Sequence, residues 1–205
     1  ESARLNEEKI KTLMSLCDST GIEFLISAFN VVDAKFISDL DIKSIKIPSH
    51  EIANHELHKF SAENFDEIYV SLGAGTESEV LETIQNYEKN AGNKYWVGMH
   101  CVSSYPCPAT KANLARIGFI KEKCRLVGYS DHTSDVISPV VAVSLGAKVV
   151  EKHFTINKDL PGRDNKFALD VPEFEQMVKN IRISEQALIA HGNGPMDMER
   201  DTMTI

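Results

Sequence analysis

Tyr95-Trp-Val-Gly-Met-His-Cys101 is an almost wholly apolar run that closes on a histidine and a cysteine, and Val102-Ser-Ser-Tyr-Pro106 follows it directly. Seven residues are too few for a helix that buries one face, so the run reads as a strand covered on both sides. Its chemistry sits at its C-terminal end. The same unit recurs in both directions: residues 23–29, 44–48 and 67–72 upstream, and 125–129 and 148–154 downstream, read as strands.

Helices fill the intervals. Ile10, Leu13, Met14 and Cys17 recur at i, i+3, i+4 and i+7, which predicts a helix over 6–20 that Gly21 ends. Residues 31–40 and 53–64 read as the next two. Thr76-Glu-Ser-Glu79 is a capping box that opens a helix lined by Val80, Ile84, Tyr87 and Ala91. Residues 111–123 and a buried segment at 139–145 follow, and Asp170-Val-Pro-Glu173 starts a last helix with Phe174, Met177, Val178 and Ile181 as its stripe.

Six strands alternating with helices predict a parallel sheet. Ser27, Lys46, Ser49, Ser71, His100, Ser103, Ser130, His132, Glu151 and His153 all stand at or just past strand C-termini. An open sheet gathers ligand contacts at one switch point, whereas a closed barrel converges every strand end on one mouth. The expected fold is therefore α/β, a TIM (β/α)8-type barrel that is incomplete, with two strands expected to precede Glu1. Residues 1–191 form the barrel portion and 192–205, rich in Gly, Asn, Met and charge without a period, read as a linker.

Composition narrows the function classes. The 205 residues carry 22 Lys+Arg against 30 Asp+Glu, a net charge of −8, and 42% are hydrophobic, which suffices for one core. An acidic chain without a basic block argues against nucleic acid and anionic membrane surfaces. The longest apolar stretch, 136–150, is broken by Pro139 and Gly146 and falls short of the ~20 residues a bilayer needs. Cys17, Cys101, Cys107 and Cys124 form no CxxC pair, no Asn-x-Ser/Thr acceptor occurs, and no export signal follows Glu1, which together suggest a reducing cytoplasm and buried free thiols.

Several constellations carry chemistry. His132 and His153 end adjacent strands, where two imidazoles could share a divalent ion and leave positions open for water and substrate oxygen; each could equally be a satisfied polar group. Lys46 is a cation on an otherwise buried strand, which calls for an anionic partner at the mouth or an exterior ion pair. Ser27, Ser49, Ser71 and Ser103 would ring it with hydroxyls suited to phosphate oxygens, and Lys152 is a second cation expected there. Glu51 is either a helix N-terminal carboxylate or a general base. Gly73-Ala-Gly75 lacks the third glycine and the Lys-Ser/Thr of nucleotide loops. His50, His55 and His58 read as a solvated face, and Trp96 and the Phe residues as core.

From Phe24 to about Ile189 the chain resembles the sialic acid synthase family, through His100-Cys-Val-Ser-Ser-Tyr-Pro106, Gly128-Tyr-Ser-Asp-His-Thr133, Gly146-Ala-Lys-Val-Val-Glu-Lys-His153 and Pro161-Gly-Arg-Asp164 in order. The resemblance implies a transferase that condenses phosphoenolpyruvate with an N-acetylated hexosamine, giving a nine-carbon 2-keto sugar acid and phosphate. It implies barrel strands three to eight here, a C-terminal antifreeze-like domain, and a homodimer. His132 and His153 would bind Mn2+ or Mg2+, and Lys46, Ser49, Ser71 and Ser103 would hold phosphoenolpyruvate, with Ser27 where the family commonly has Thr. Tyr105, Glu151 and Asp164 match positions placed to contact the sugar, Glu51 matches the proposed base for water, and Ser130 belongs to the substrate-binding set. His50, Leu72, Asn165-Lys166 and Ala168 depart from the family's usual residues. The family's first two strands normally add a Glu, an Asp and a Lys, and its C-terminal domain an Arg. Two rivals stay open: a non-catalytic or incomplete barrel that binds a sugar phosphate or a partner, and a metal-dependent pyruvate aldolase.

Overall fold

The side chain of Asn6 accepts the amide of Lys9 and so starts α1 (Glu7–Thr20), which ends where Gly21 turns left-handed at φ 71°. In this computed structural model, which describes residues 5–202, the chain then alternates. The elements are α2 (Val31–Asp39), β1 (Ser44–Ile47), α3 (His55–Asn64), β2 (Glu67–Ser71), α4 (Glu77–Asn90), β3 (Tyr95–Cys101), α5 (Arg116–Lys121), β4 (Val127–Asp131), α6 (Ser138–Ser144), β5 (Val149–Lys152) and α7 (Val171–Ala187). The outermost ends of the two expected units, 1–4 and 203–205, lie outside the described residues. No described helix is long and apolar enough to cross a membrane.

The strands form one sheet in the order β1-β2-β3-β4-β5, every neighbouring pair parallel. Flat, such a sheet would hold its outer strands about 19 Å apart, four spacings of ~4.8 Å. Yet the Nζ of Lys46 on β1 stands 2.8 Å from Oε1 of Glu151 on β5. Two side chains of that length cannot span a flat sheet, so the sheet curls into a half-barrel with its two edges facing across a hollow. This agrees with the expected incomplete barrel.

Residues 23–29 differ from expectation. Rather than a sixth strand they make one bridge, Ser27 to Lys46, with Lys46 N donating to Ile26 O and Ala28 N to Lys46 O. The segment has a neighbour on one side only among the described residues, and Leu25 and Phe29 are exposed rather than covered on both sides. Phe154 is exposed too, so not every Phe is core, whereas Trp96 is buried. Further along, β4 starts two residues later than expected and runs through Ser130 and Asp131, because the ladder pairs Gly98 with Val127 and Cys101 with Ser130. The helix expected over 111–123 keeps only Arg116–Lys121, preceded by a 3-10 turn at Ala109–Lys111. Within the expected linker, Asp197–Thr202 forms a 3-10 segment.

Both predicted N-termini are built as read: Thr76 with Glu79 and Asp170 with Glu173 exchange side-chain and backbone hydrogen bonds as capping boxes. Behind the sheet, Ile45, Ile47, Ile68, Val70 and Trp96 pack with Leu57, Val80, Ile84, Tyr87, Ile117 and Ile120 in a continuous core. A second cluster of Leu169, Met177 and Ile181 joins α6, α7 and β5. His58, expected on a solvated face, is buried in the first core, bonded to Tyr87 Oη at 3.0 Å and Ile52 O at 3.1 Å. All four cysteines are free, three of them buried.

Candidate active site

Side chains alternate along a strand, so one residue in two faces the hollow. Ile45 and Ile47 pack outward and leave Lys46 to face inward. By the same parity Ser71, Cys101, Ser130 and Glu151 point into a mouth cavity of about 500 Å³ at the C-terminal strand ends. His132, His153, Tyr105 and Asp164 line it from the loops beyond.

Charge is arranged in two halves. On one, Lys46, only 5% exposed, donates to Oε1 of Glu151, and Ser130 Oγ donates to the same oxygen at 2.7 Å. Burial alone would raise the Glu151 proton affinity, but the Lys46 ammonium and the bonds from Lys46 and Ser130 outweigh it and hold the carboxyl below its usual range. Ser49, in a 3-10 turn after β1, shares a 2.6 Å hydrogen bond with Ser103 Oγ. Ser71 Oγ is buried beside them without a partner among the described residues. The two loops approach so closely that a Cβ on Gly73 would lie 2.8 Å from Cys101 O and 2.9 Å from Ser103 Oγ.

The other half is aromatic. The His132 and His153 ring centroids lie 5.5 Å apart, with the Tyr105 ring 4.1 Å from His132 and Phe167 5.1 Å from His153. His132 Nδ1 is 2.7 Å from Val102 O, an atom that can only accept, so Nδ1 carries the proton and Nε2 keeps a lone pair. Burial pushes the His132 pKa down, against the pull of Val102, and favours that neutral ring. Asp164 Oδ2 stands 3.5 Å from His153 Nδ1, and burial raises the Tyr105 phenol to about 12. Burial also raises the Cys101 thiol, so the sulfur 3.7 Å from His132 Nδ1 stays protonated. Two imidazoles side by side, one of them fixed from behind by Val102 O, suit a divalent ion with open positions; no group of three or more His, Cys, Asp or Glu among the described residues could supply a closed site.

Four expected residues do not line the cavity, Ser103 among them, which meets it only through its bond to Ser49. Glu51 is not among the residues that line the cavity; its Oε2 accepts from Asn54 Nδ2 at 2.8 Å, and Asn54 caps α3. His100 has the wrong parity and turns outward, bonding Ala112 O at 2.7 Å and stacking on Tyr129. Lys152, expected at the mouth, also turns away, to a buried Asp131 at 2.6 Å. Conversely, Cys101, Phe29 and Arg163 line the mouth without having been singled out. Strand parity marks Cys101, and Arg163 lies inside the Pro161-Gly-Arg-Asp164 motif.

A family model described as the NeuB family matches residues 1–193. The chain belongs to the NeuB family. Among NeuB-family relatives, N,N'-diacetyllegionaminic acid synthase of Legionella pneumophila is 36% identical over 97% of the chain and 57% of its own length. Pseudaminic acid synthase of Campylobacter jejuni is 34% identical over 99% and 58%, and an uncharacterized Methanocaldococcus jannaschii protein 34% over 99% and 60%. The NeuB-family chain thus spans about 60% of the length of these relatives. In structure, N-acetylneuraminic acid (sialic acid) synthetase from Leptospira borgpetersenii, solved with citrate, superposes with TM-score 0.90 at 26% identity, covering 98% of this chain and 70% of that one. A truncated 3-deoxy-D-arabino-heptulosonate 7-phosphate synthase from Thermotoga maritima shares the fold at TM-score 0.75 and 16% identity, over 90% and 74%.

Proposed function

We propose that the full-length protein carrying this chain condenses phosphoenolpyruvate with an N-acetylated hexosamine of the N-acetylmannosamine type, releasing phosphate and a nine-carbon 2-keto acid, as a cytoplasmic homodimer. The observation that carries this reading is the juxtaposition of a buried lysine and a serine cluster with a pair of imidazoles in one mouth. The names of the relatives, which are synthases of legionaminic, pseudaminic and sialic acids, support it. A pyruvate aldolase would have no use for the buried hydroxyls of Ser49 and Ser71, with Ser103 bonded to Ser49.

His132 and His153 would hold Mn2+ or Mg2+, which when bound supplies Lewis-acid polarisation of the sugar aldehyde. Lys46, Ser49, Ser71 and Ser103 bind and orient the phosphate so that C3 of phosphoenolpyruvate faces that aldehyde carbon. The C2–C3 π pair forms the C3–C1 bond, the aldehyde π pair moves to its oxygen, which takes a proton from solvent and becomes a hydroxyl, and C2 is left cationic. Water adds at C2, and phosphate leaves with C–O cleavage. The proton of that water needs an acceptor; Glu151 and Asp164 are the carboxylates that line the mouth, and Glu151 is the one beside Lys46 and Ser130, which hold it ionised. A phosphate that takes up the charge of Lys46 removes the main influence holding the Glu151 pKa down, so substrate binding itself makes Glu151 a better base. Tyr105 and Asp164 orient the sugar, and Arg163 adds a cation at the rim.

Inorganic phosphate release tests the proposal. The full-length protein with Mn2+, phosphoenolpyruvate and a panel of N-acetylated hexosamines is expected to release phosphate in step with aldehyde consumption. Release with none of them overturns it.

A further inference from the structure

The mouth uses the inward residues of β4 and β5, but the outward pair of the same strands is the more completely engaged. Register sets Asp131 opposite Lys152, one residue beyond Ser130 opposite Glu151. The side chains of Lys152 and Asp131 are 1% and 0% exposed. Lys152 Nζ reaches Asp131 Oδ2 at 2.6 Å, Thr133 O at 2.5 Å, Asp135 O at 3.1 Å and Thr133 Oγ1 at 3.2 Å. Asp131 Oδ1 in turn accepts Tyr129 Oη and Thr133 N, both at 2.8 Å. Asp135 completes the knot by accepting the amides of Ile137 and Ser138 at the start of α6.

His132 lies between Asp131 and Thr133, both held by this knot, and His153 is the residue after Lys152. Each imidazole is therefore attached to backbone that one ammonium fixes. A strand end and the loop after it would otherwise move independently, since loops carry fewer constraints than the sheet. One ammonium with four oxygen acceptors removes that freedom for both strands at once.

We propose that Lys152 and Asp131 are positioning residues for the imidazole pair: they touch no reacting atom, but set the separation and tilt at which His132 and His153 present nitrogen to a divalent ion. This rests on the metal reading above for its purpose, though not for its geometry. A role confined to stability predicts that variants lose folding free energy and nothing else. A positioning role predicts a change at the histidines in protein that is still folded.

The test uses Lys152→Met and, because a lone buried Asp131 could unfold the protein, the paired variant Asp131→Asn/Lys152→Met. The second removes both charges together and keeps an acceptor oxygen for Tyr129 and Thr133. Two readouts are taken on folded full-length protein: Mn2+ affinity from the EPR signal of free Mn2+, and 1H–15N spectra of the imidazole rings without metal. The paired variant is expected to bind Mn2+ about 10–100-fold more weakly and to show broadened or shifted ring signals for His132 and His153, with those of His58 unchanged. Wild-type ring spectra in the folded paired variant overturn the inference, whatever its stability; wild-type Mn2+ affinity there does so as well. If wild-type protein binds no Mn2+, the metal reading fails separately, and the ring spectra alone decide this one.

Discussion

Lys46–Glu151 and Lys152–Asp131 are both lysine–carboxylate pairs, share β5, and sit one residue apart on it, yet they occupy opposite environments. On the inner face the Glu151 side chain is 39% exposed, and its Oε1 takes one bond from Lys46 and one from Ser130. Among the described residues Lys46 has that single oxygen partner, so another anion can compete for it. On the outer face Lys152 has four oxygen acceptors and the pair is sealed from water. Two pairs of the same chemical type are thus divided by strand parity into one that can exchange partners and one that cannot. The number of partners and the access of water, rather than the presence of an ion pair, separate a binding lysine from a scaffold lysine.

The largest expected effect falls on the sealed pair. Lys152→Met leaves a buried carboxylate uncompensated and is expected to cost about 3–5 kcal/mol of stability, read from denaturant unfolding, whereas Lys46→Met should cost clearly less because water reaches Glu151. Equal losses would erase the distinction. Activity should reverse the order: Lys46→Met is expected to lower the rate of phosphate release by on the order of 10²–10³-fold, as removal of one preorganised anion-binding donor does. Gly73→Ala probes the inner side without touching either lysine. Its methyl would press on Cys101 O and Ser103 Oγ and part Ser103 from Ser49, with an expected overpacking cost of about 1–3 kcal/mol and a raised KM for phosphoenolpyruvate at nearly unchanged sugar KM.

Acidification gives the smallest effect, because the inner carboxylate, held below its usual range, stays ionised through it. Burial lowers the pKa of His58 and of His100, so the unfolded chain, near 6.5, takes up protons before the folded one does. Stability from these rings is full above about 6.5 and declines as pH falls below it. Thermal melting from about pH 7.5 to about 5.5 should therefore show a modest loss of the same slope in wild type and in Lys46→Met. A steeper slope in wild type would tie the inner pair to a titrating histidine.

Much of the site was legible because it obeys one rule. The alternation of βα units and the polar residues at strand ends pointed to a barrel mouth, and the Lys46–Glu151 contact across the sheet shows the curl that follows. The errors share a cause as well: His100 and Lys152 are strand-end residues of the outward parity, and proximity to a strand end was read without it. Applied strictly, period two would have exchanged them for Cys101. Glu51 was ambiguous because one carboxylate can serve a helix end or a reaction; its bond from Asn54 shows the first use and does not test the second. The 23–29 segment looked like a buried strand because apolar content does not report how many neighbours a strand has. His58 was misplaced because its partners, Tyr87 and Ile52, come from other elements.

Ser71 adds a thermodynamic consequence. Its buried hydroxyl has no partner among the described residues, and a buried hydroxyl left unpaired costs on the order of 1–3 kcal/mol. An oxyanion that accepts from it relieves a penalty that folding alone leaves standing, so ligand affinity and fold stability are linked at that atom. Phosphate-bearing ligands should raise the melting temperature of this protein by more than they raise that of a Ser71→Ala variant.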